Sequence, residues 1–160
     1  MDCGCGHGVL SVLSAKMDVK VAAVDISPRS IEITQRLAFA NNVESNIHAQ
    51  VAPLENLPFK ENYFDCIVGT RVLHHVDIMA SGVHLARVLK PQGFGIFWEC
   101  TEKNPVLRFA RKYIRRLIPL PKFGTQYEHP LTKEEIGALE EFFGQRARIV
   151  NAPFYFFSFL

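Results

Sequence analysis

The chain has 160 residues, 48% of them hydrophobic, and a formal net charge of only +2 at pH 7. This is enough apolar material for one core, so we expect a single domain over residues 1–160. The small net charge gives no field that would attract nucleic acid, and no nucleic-acid partner is expected. Because the sequence shows neither a signal peptide nor an apolar run of about eighteen residues, we expect a cytoplasmic protein.

Helix-like and strand-like segments alternate along the chain. Ser27 caps a helix with Pro28 at its first position, Lys90-Pro91-Gln92-Gly93 ends the next helix, and a capping-box pattern at 132–135 begins the last one. The alternation predicts an α/β fold with a mostly parallel sheet and helices on both faces. The predicted helices are 9–17, 28–41, 78–89 and 132–143, and the predicted strands are 19–25, 47–51, 65–69, 94–100, 146–150 and 154–160.

The run Met1-Asp2-Cys3-Gly4-Cys5-Gly6-His7-Gly8 carries the clearest functional signal. Alternating glycines let the backbone turn sharply and let a ligand approach where a Cβ would block it. The predicted helix that follows offers its N-terminus to an anionic group. The strand after that helix ends in Asp25, and a carboxylate roughly twenty residues after the first glycine suits the hydroxyls of a ribose.

The glycine spacing also bears on the choice of ligand. A dinucleotide fingerprint requires a glycine at position 9, where this chain has Val9. This departure argues against a dinucleotide-dependent oxidoreductase, which stays open as an alternative. A second alternative is a module that binds a nucleotide-like cofactor without catalysis.

Four further motifs follow the glycine run in a fixed order, namely Leu57-Pro58-Phe59, Phe64-Asp65-Cys66-Ile67-Val68, Val72-Leu73-His74-His75-Val76 and Arg87-Val88-Leu89-Lys90-Pro91-Gln92-Gly93. With them, over roughly residues 1–100, the chain resembles the class I S-adenosylmethionine-dependent methyltransferases. The resemblance implies a three-layer, Rossmann-like methyltransferase fold. It also implies methyl transfer from S-adenosyl-L-methionine to a small-molecule or lipid-linked acceptor by direct displacement.

The same resemblance divides the chain and raises a question about its beginning. Residues 1–100 correspond to a cofactor-binding core, 101–131 to a substrate-side insertion, and 132–160 to a C-terminal helix and the last strands. In the family a central first strand precedes the glycine turn, and here only Met1 and Asp2 remain of it. We therefore expect a fragment, or a start assigned at an internal methionine, with the first central strand largely missing and its neighbours left as open edges.

The resemblance also assigns the cofactor site. Asp2 and the three glycines of the turn hold the methionine end of the cofactor. Asp25 accepts hydrogen bonds from the ribose, and Ile26 packs against the adenine. Many relatives bind the adenine amine with an aspartate at the position of Pro53, so Glu55 or backbone groups would replace it here. The assigned residues are Asp2, Gly4, Gly6, Gly8, Asp25, Ile26, Glu55 and Thr70.

Candidate catalytic residues follow the apolar strand 65–69. His74 and His75 lie where an open α/β sheet binds ligands, and a histidine there could deprotonate a hydroxyl or amine acceptor. Alternatively, both are packing or loop residues. Glu99, at the end of the next strand, could contact an acceptor or cap a loop.

The cysteines and histidines give no reason to expect a metal. Cys3 and Cys5 form a C-x-C pair inside the glycine turn, and no pair of candidate ligands has a recognised zinc spacing. We therefore predict no metal site. The four cysteines are interpreted as small buried or loop residues in a reducing compartment.

The segment 106–118 is amphipathic and least like the family. Its apolar side carries Phe109, Tyr113 and Ile118, and a basic face with such a side suits a membrane surface or an anionic, partly apolar substrate. A solvated face over an ordinary core stripe is the alternative. The first interpretation predicts a peripheral membrane contact through 106–118. The basic residues are Arg108, Arg111, Lys112, Arg115 and Arg116.

Overall fold

Five parallel strands form a sheet in the computed structural model, which describes residues 1–99 and 129–144. Their order across the sheet is β3-β2-β1-β4-β5. The all-parallel pairing confirms the predicted α/β class. The strands are β1 Asp2–Cys3, β2 Val21–Asp25, β3 Ile47–Val51, β4 Phe64–Thr70 and β5 Leu89–Trp98, and the helices are α1 Val9–Ala15, α2 Pro28–Ala40, α3 Ile78–Val88 and α4 Lys133–Phe143.

The short strand β1 lies at the centre of the sheet. Asp2 pairs with Ala23 of β2 on one side and with Val68 of β4 on the other. The N-terminal ammonium of Met1 donates to the carbonyl of Cys66 at 2.7 Å and extends the contact with β4 by one residue. The chain order reverses beside β1, since β2 and β3 lie on one side of it and β4 and β5 on the other. In an open α/β sheet, such a switch point opens a crevice at the carboxyl ends of the strands.

Two apolar clusters cover the two faces of the sheet. One cluster joins Val12 of α1 and Ala38 of α2 to Ala23 of β2. The other includes Leu85 of α3 and Val24, the next residue along β2. Because successive strand residues point to opposite faces, this division shows a three-layer arrangement with α1 and α2 on one face and α3 on the other. The packing of α4 against α3 extends the second face.

The helix boundaries follow the capping residues predicted from the sequence. The Ser27 hydroxyl accepts a hydrogen bond from the Ser30 N–H at 3.2 Å, and Pro28 begins α2. At α4 the Thr132 hydroxyl accepts from the Glu135 N–H at 3.2 Å, while the Glu135 carboxylate accepts from the Thr132 N–H at 2.9 Å. This reciprocal pair is the predicted capping box. These signals are local, so the sequence alone was sufficient to place them.

The start of β5 differs from the prediction. The turn 90–93 was expected to separate a helix from a strand beginning at residue 94, but β5 begins at Leu89, which pairs with Phe64. Pairing resumes at Phe94, opposite Cys66, so residues 90–93 form a bulge opposite Asp65. The turn residues are therefore present, but inside a strand pairing that their sequence does not reveal.

Several predicted segments lie outside the described residues, namely the amphipathic stretch 106–118 and the strands 146–150 and 154–160. Within residues 1–99 and 129–144, no helix combines the length and hydrophobicity needed to cross a bilayer.

Candidate functional site

The glycine turn after β1 is built on left-handed backbone conformations. Gly4, Gly6 and Gly8 have φ values of 62°, 53° and 78°, a region that L side chains enter only with strain. The Cys5 N–H donates to the Val24 carbonyl at 3.0 Å, and the Gly8 N–H donates back to the Cys5 carbonyl at 2.9 Å. These bonds hold the turn against the carboxyl end of β2.

The three glycines have different surroundings. A Cβ at Gly4 would overlap the side chain of Val72, and one at Gly8 would lie 2.5 Å from the Thr34 methyl carbon. A Cβ at Gly6 would meet no atom within 4 Å. Gly4 and Gly8 therefore allow the turn to pack against the protein, whereas Gly6 borders open space.

The carboxylate of Asp25 is fixed by two backbone groups. The Gly6 N–H donates to Oδ2 and the Ser27 N–H donates to Oδ1, both at 2.9 Å. A carboxylate oxygen can accept more than one hydrogen bond, so both oxygens retain capacity for a ligand donor. Asp25 is thus oriented before any ligand arrives.

A cleft of about 370 Å³ lies beside this carboxylate, at the lower end of the volumes usual for small-molecule sites. Its walls come from the glycine turn, the end of β2, the segment after β3 and the loop after β4. It brings together five residues proposed from the sequence: Gly4, Asp25, Ile26, Glu55 and His75. Its other lining residues are Ala52, Pro53, Leu54, Arg71, Val72 and Val76.

Asp2 lies beneath the glycine turn and does not line the cleft. It is buried, and the Ser11 hydroxyl donates a 2.6 Å hydrogen bond to its Oδ2. Burial raises the pKa of this carboxyl above its ordinary value, although the Ser11 bond opposes the change. The bond ties β1 to α1 under the turn. Gly6, Gly8 and Thr70 are also absent from the cleft lining, and Thr70 is exposed at the end of β4.

Thr34 supports the turn and was missed by the sequence analysis. Its side chain is fully buried, and its hydroxyl donates to the Gly6 carbonyl at 3.1 Å. The available signal was its spacing, because Ile31, Thr34 and Ala38 form the buried face of α2. A polar residue on such a face implies a specific partner.

The two histidines lie in different surroundings. His75 lines the cleft, whereas the His74 Nδ1 lies 2.7 Å from Oε2 of Glu99. The other oxygen of Glu99 accepts from the N–H groups of Val72 and Leu73 at 2.7 and 2.8 Å. These contacts correspond to the loop-capping alternative for Glu99.

Glu55 is also held by the backbone. Its Oε1 accepts a 3.2 Å hydrogen bond from the Asp77 N–H, at the beginning of α3. Pro53, at the position where many relatives carry an aspartate, lines the same wall of the cleft. Glu55 is therefore the carboxylate nearest in sequence to the replaced position.

The thiols around the turn are protonated and structural in character. Burial raises the pKa of Cys3 well above its usual range and that of Cys5 to about 12. The described residues contain no group of three or more His, Cys, Asp or Glu side chains arranged to hold a metal ion.

Comparison with known proteins identifies the class. The family described as a methyltransferase domain matches residues 1–97. The ubiquinone biosynthesis O-methyltransferase of Bordetella avium is 27% identical over 143 residues, covering 86% of this chain and 58% of that protein. The protein of the same name from Alkalilimnicola ehrlichii is 30% identical over 123 residues, covering 74% of this chain and 49% of that protein. The chain thus spans about half the length of the curated relatives it matches.

Solved structures agree on the fold. Geranyl diphosphate C-methyltransferase from Streptomyces coelicolor, in complex with Mg²⁺, geranyl diphosphate and S-adenosyl-L-homocysteine, superposes with a TM-score of 0.68 at 16% identity. The match covers 88% of this chain and 50% of that chain. The chain belongs to the methyltransferase domain family, within the class I S-adenosylmethionine-dependent methyltransferases. The cofactor of this class is S-adenosyl-L-methionine.

Proposed function

We propose that this chain binds S-adenosyl-L-methionine in the cleft beside Asp25 and serves the transfer of its methyl group to a small-molecule acceptor. One observation carries the proposal: Asp25 is oriented by the Gly6 N–H, next to the open space that a Cβ at Gly6 would enter. A fixed carboxylate beside open glycine backbone suits a nucleoside whose ribose offers two hydroxyl donors.

The residues present fit this cofactor. Asp25 would accept the ribose hydroxyls with the lone pairs that its two backbone bonds leave available. Ile26 is 74% exposed at the cleft wall and would cover one face of the adenine. Glu55 would accept a hydrogen bond from the adenine amine in place of the residue that Pro53 replaces.

The remaining assigned residues would act around the methionine end. Gly4 and Gly8 let the turn pack closely, Asp2 anchors the turn from below, and Gly6 leaves space for the ligand. Thr70, exposed at the end of β4, would contact the cofactor from outside the cleft lining. The glycine turn would then act mainly through its shape.

The chemistry demands little of the protein beyond alignment. The bound cofactor supplies a methyl group already activated on a sulfonium, so an acceptor atom displaces it directly. The chain's part is to hold the reacting groups in line and exclude water, which lowers the barrier by on the order of several kcal/mol. His75 lines the cleft and would accept a proton from a hydroxyl or amine acceptor. No nucleophilic side chain is needed.

The acceptor class is proposed from two relatives and one segment of the sequence. The two curated relatives described above are named for ubiquinone biosynthesis, and a solved neighbour is named for geranyl diphosphate. We infer that the acceptor is a small, partly apolar or lipid-linked molecule. The basic amphipathic segment 106–118 would meet it or the anionic surface that holds it. The location that matches this acceptor class is the cytoplasm, with peripheral contact to a membrane.

Isothermal titration of the full chain with S-adenosylhomocysteine and, separately, with NAD⁺ tests the proposal. We expect saturable binding of the first ligand only. Binding of NAD⁺ alone would favour the oxidoreductase alternative. Binding of S-adenosylhomocysteine without methyl transfer to any phenolic or isoprenoid acceptor would favour a non-catalytic module. Absence of binding to both ligands in a folded sample would overturn the proposal.

A further inference from the structure

We infer that Glu99 is a positioning residue that fixes the cleft-lining loop after β4, an inference that rests on the proposed function. Its side chain is only 5% exposed, yet it is a carboxylate. A buried carboxylate is costly unless hydrogen-bond donors surround it, so its partners indicate why it is there.

Glu99 gathers three donors from consecutive residues. Oε1 accepts from the N–H groups of Val72 and Leu73, and Oε2 lies 2.7 Å from the Nδ1 of His74. His74 is itself only 11% exposed. Because a carboxylate has no proton to give, the Nδ1 of His74 carries the shared proton. One side chain at the end of β5 thus fixes three successive residues.

The loop fixed in this way forms one wall of the cleft. Val72, which Glu99 holds, lines the cleft, and so do Arg71 before the held residues and His75 and Val76 after them. Arg71 has a left-handed backbone, with φ of 56°, and its N–H donates to the Trp98 carbonyl at 2.8 Å. The end of β5 therefore stabilises a strained loop conformation at two neighbouring points.

Val72 carries the effect of Glu99 to the glycine turn. Its N–H is bound by Glu99, and its side chain occupies the space that a Cβ at Gly4 would need. Displacement of Val72 would therefore change the wall that faces the turn. On the other side, the ring of His74 stacks at a tilt against that of His75, with centroids 4.1 Å apart. Glu99 reaches both the cofactor side and the His75 side of the cleft without lining it.

The variants Glu99→Gln and Glu99→Ala in the full chain test this inference, with Glu61→Gln as the matched control on the surface. A glutamine keeps one oxygen for the two backbone N–H groups but presents an amide N–H to His74. We expect the proton of His74 to move from Nδ1 to Nε2 in Glu99→Gln, seen in the ¹⁵N spectrum of the imidazole. We also expect S-adenosylhomocysteine affinity to fall about tenfold or more in Glu99→Ala and less in Glu99→Gln. Glu61→Gln should match the wild type in both measurements.

The outcomes separate the two proposals. If the wild type binds no S-adenosylhomocysteine, the proposed function fails, while the ¹⁵N spectra and the backbone amide shifts of Val72 and Leu73 still test positioning. A Glu99→Gln protein with a lower melting temperature but unchanged affinity and an unchanged His74 tautomer would overturn the inference, because its role would be structural alone. If Glu99→Ala does not fold, the glutamine variant decides.

Discussion

The backbone N–H of Gly6 and the carboxylate of Asp25 are joined by a 2.9 Å hydrogen bond. This bond connects the turn after β1 with the end of β2, two neighbouring strands at the switch point of the sheet. Asp25 would bind the ribose, and the glycine turn would hold the methionine end of the cofactor. The hydrogen bond therefore couples the positions of these two parts of the site. A change in either should be detectable at the other.

Replacement of Asp25 should weaken cofactor binding. Asp25→Ala leaves the ribose hydroxyls without their acceptor, so we expect S-adenosylhomocysteine affinity to fall by roughly 1–3 kcal/mol, measured by titration calorimetry. Asp65→Ala is the control, because that side chain is 85% exposed and does not line the cleft. An unchanged dissociation constant in Asp25→Ala would remove Asp25 from the site.

The three glycines of the turn should respond differently to alanine. Gly4→Ala and Gly8→Ala bring a Cβ into Val72 and Thr34 and should lower the free energy of unfolding by roughly 1–3 kcal/mol beyond backbone strain. Gly6→Ala should cost only the strain, roughly 1–2 kcal/mol, yet weaken S-adenosylhomocysteine binding. Denaturant unfolding and calorimetry measure the two effects.

Gly137→Ala is the matched control for that series, since it lies within α4 and a Cβ added there would meet no atom within 4 Å. It should stabilise the protein by roughly 0.5–1 kcal/mol and leave binding unchanged. Equal binding losses at Gly4, Gly6 and Gly8 would contradict the distinction drawn between packing and ligand space.

The buried Asp2 carboxyl should make stability depend on pH. Its pKa is raised above the ordinary value of 3.8, chiefly by burial. Above pH 3.8 the unfolded chain loses this proton before the folded chain does. The contribution of Asp2 to stability therefore falls as pH rises through the folded pKa, then stays constant. Asp2→Asn should remove this loss and be stabilised relative to wild type near neutrality.

Urea unfolding of both proteins between pH 2 and pH 8 measures the difference. Asp65→Asn is the control of opposite sign, because Lys90 lowers the pKa of that exposed carboxyl. Its contribution to stability is present above pH 3.8 and is lost as pH falls through the lowered pKa. A gap between Asp2→Asn and wild type that shrinks as pH rises would show that the sign is wrong.

The thiols of the turn should resist alkylation. Because the thiolate is the reactive form, a pKa of about 12 at Cys5 and a still higher one at Cys3 leave little nucleophile near neutrality. We expect mass spectrometry to find both cysteines labelled slowly by iodoacetamide in native buffer and rapidly in urea. Native labelling of Cys5 as fast as in urea would mean that the turn is open in solution.

The segment 106–118 gives a prediction about membranes. Its basic side chains should each contribute up to about 1 kcal/mol near an anionic surface, so the protein should sediment with anionic vesicles at low salt and be released at high salt. Neutralising Arg111, Lys112, Arg115 and Arg116 should abolish sedimentation without changing S-adenosylhomocysteine affinity. If vesicles never sediment the protein, the lipid-linked acceptor class fails and a soluble acceptor remains.

Sequence reasoning succeeded where the determining chemistry is local. The Ser27 hydroxyl accepts from the N–H of Ser30, and the Thr132 hydroxyl accepts from the N–H of Glu135. Each partner lies three residues further along, so the pattern itself contains the interaction. The same holds for the glycine turn, whose positive φ values follow from the alternating glycines.

Sequence reasoning could not predict the residues that hold the cleft walls in place. Thr34 reaches Gly6 across 28 positions, and Glu99 reaches Val72 across 27, so neither contact is encoded by spacing. The start of β5 was placed five residues too late, because Leu89 is recruited by a distant partner, Phe64. In each case tertiary proximity decided the outcome.

The bulge at residues 90–93 has a consequence for how chain length can vary in this domain. In a regular strand, one added or removed residue turns every following side chain to the opposite face. Here pairing resumes at Phe94 after four residues that oppose Asp65 alone, so the extra backbone can absorb such a change before it reaches Phe97, which packs against the core. One residue added or removed within 90–93 should therefore leave the alternation of β5 unchanged from Phe94 onward, which hydrogen exchange of the β5 amides would measure.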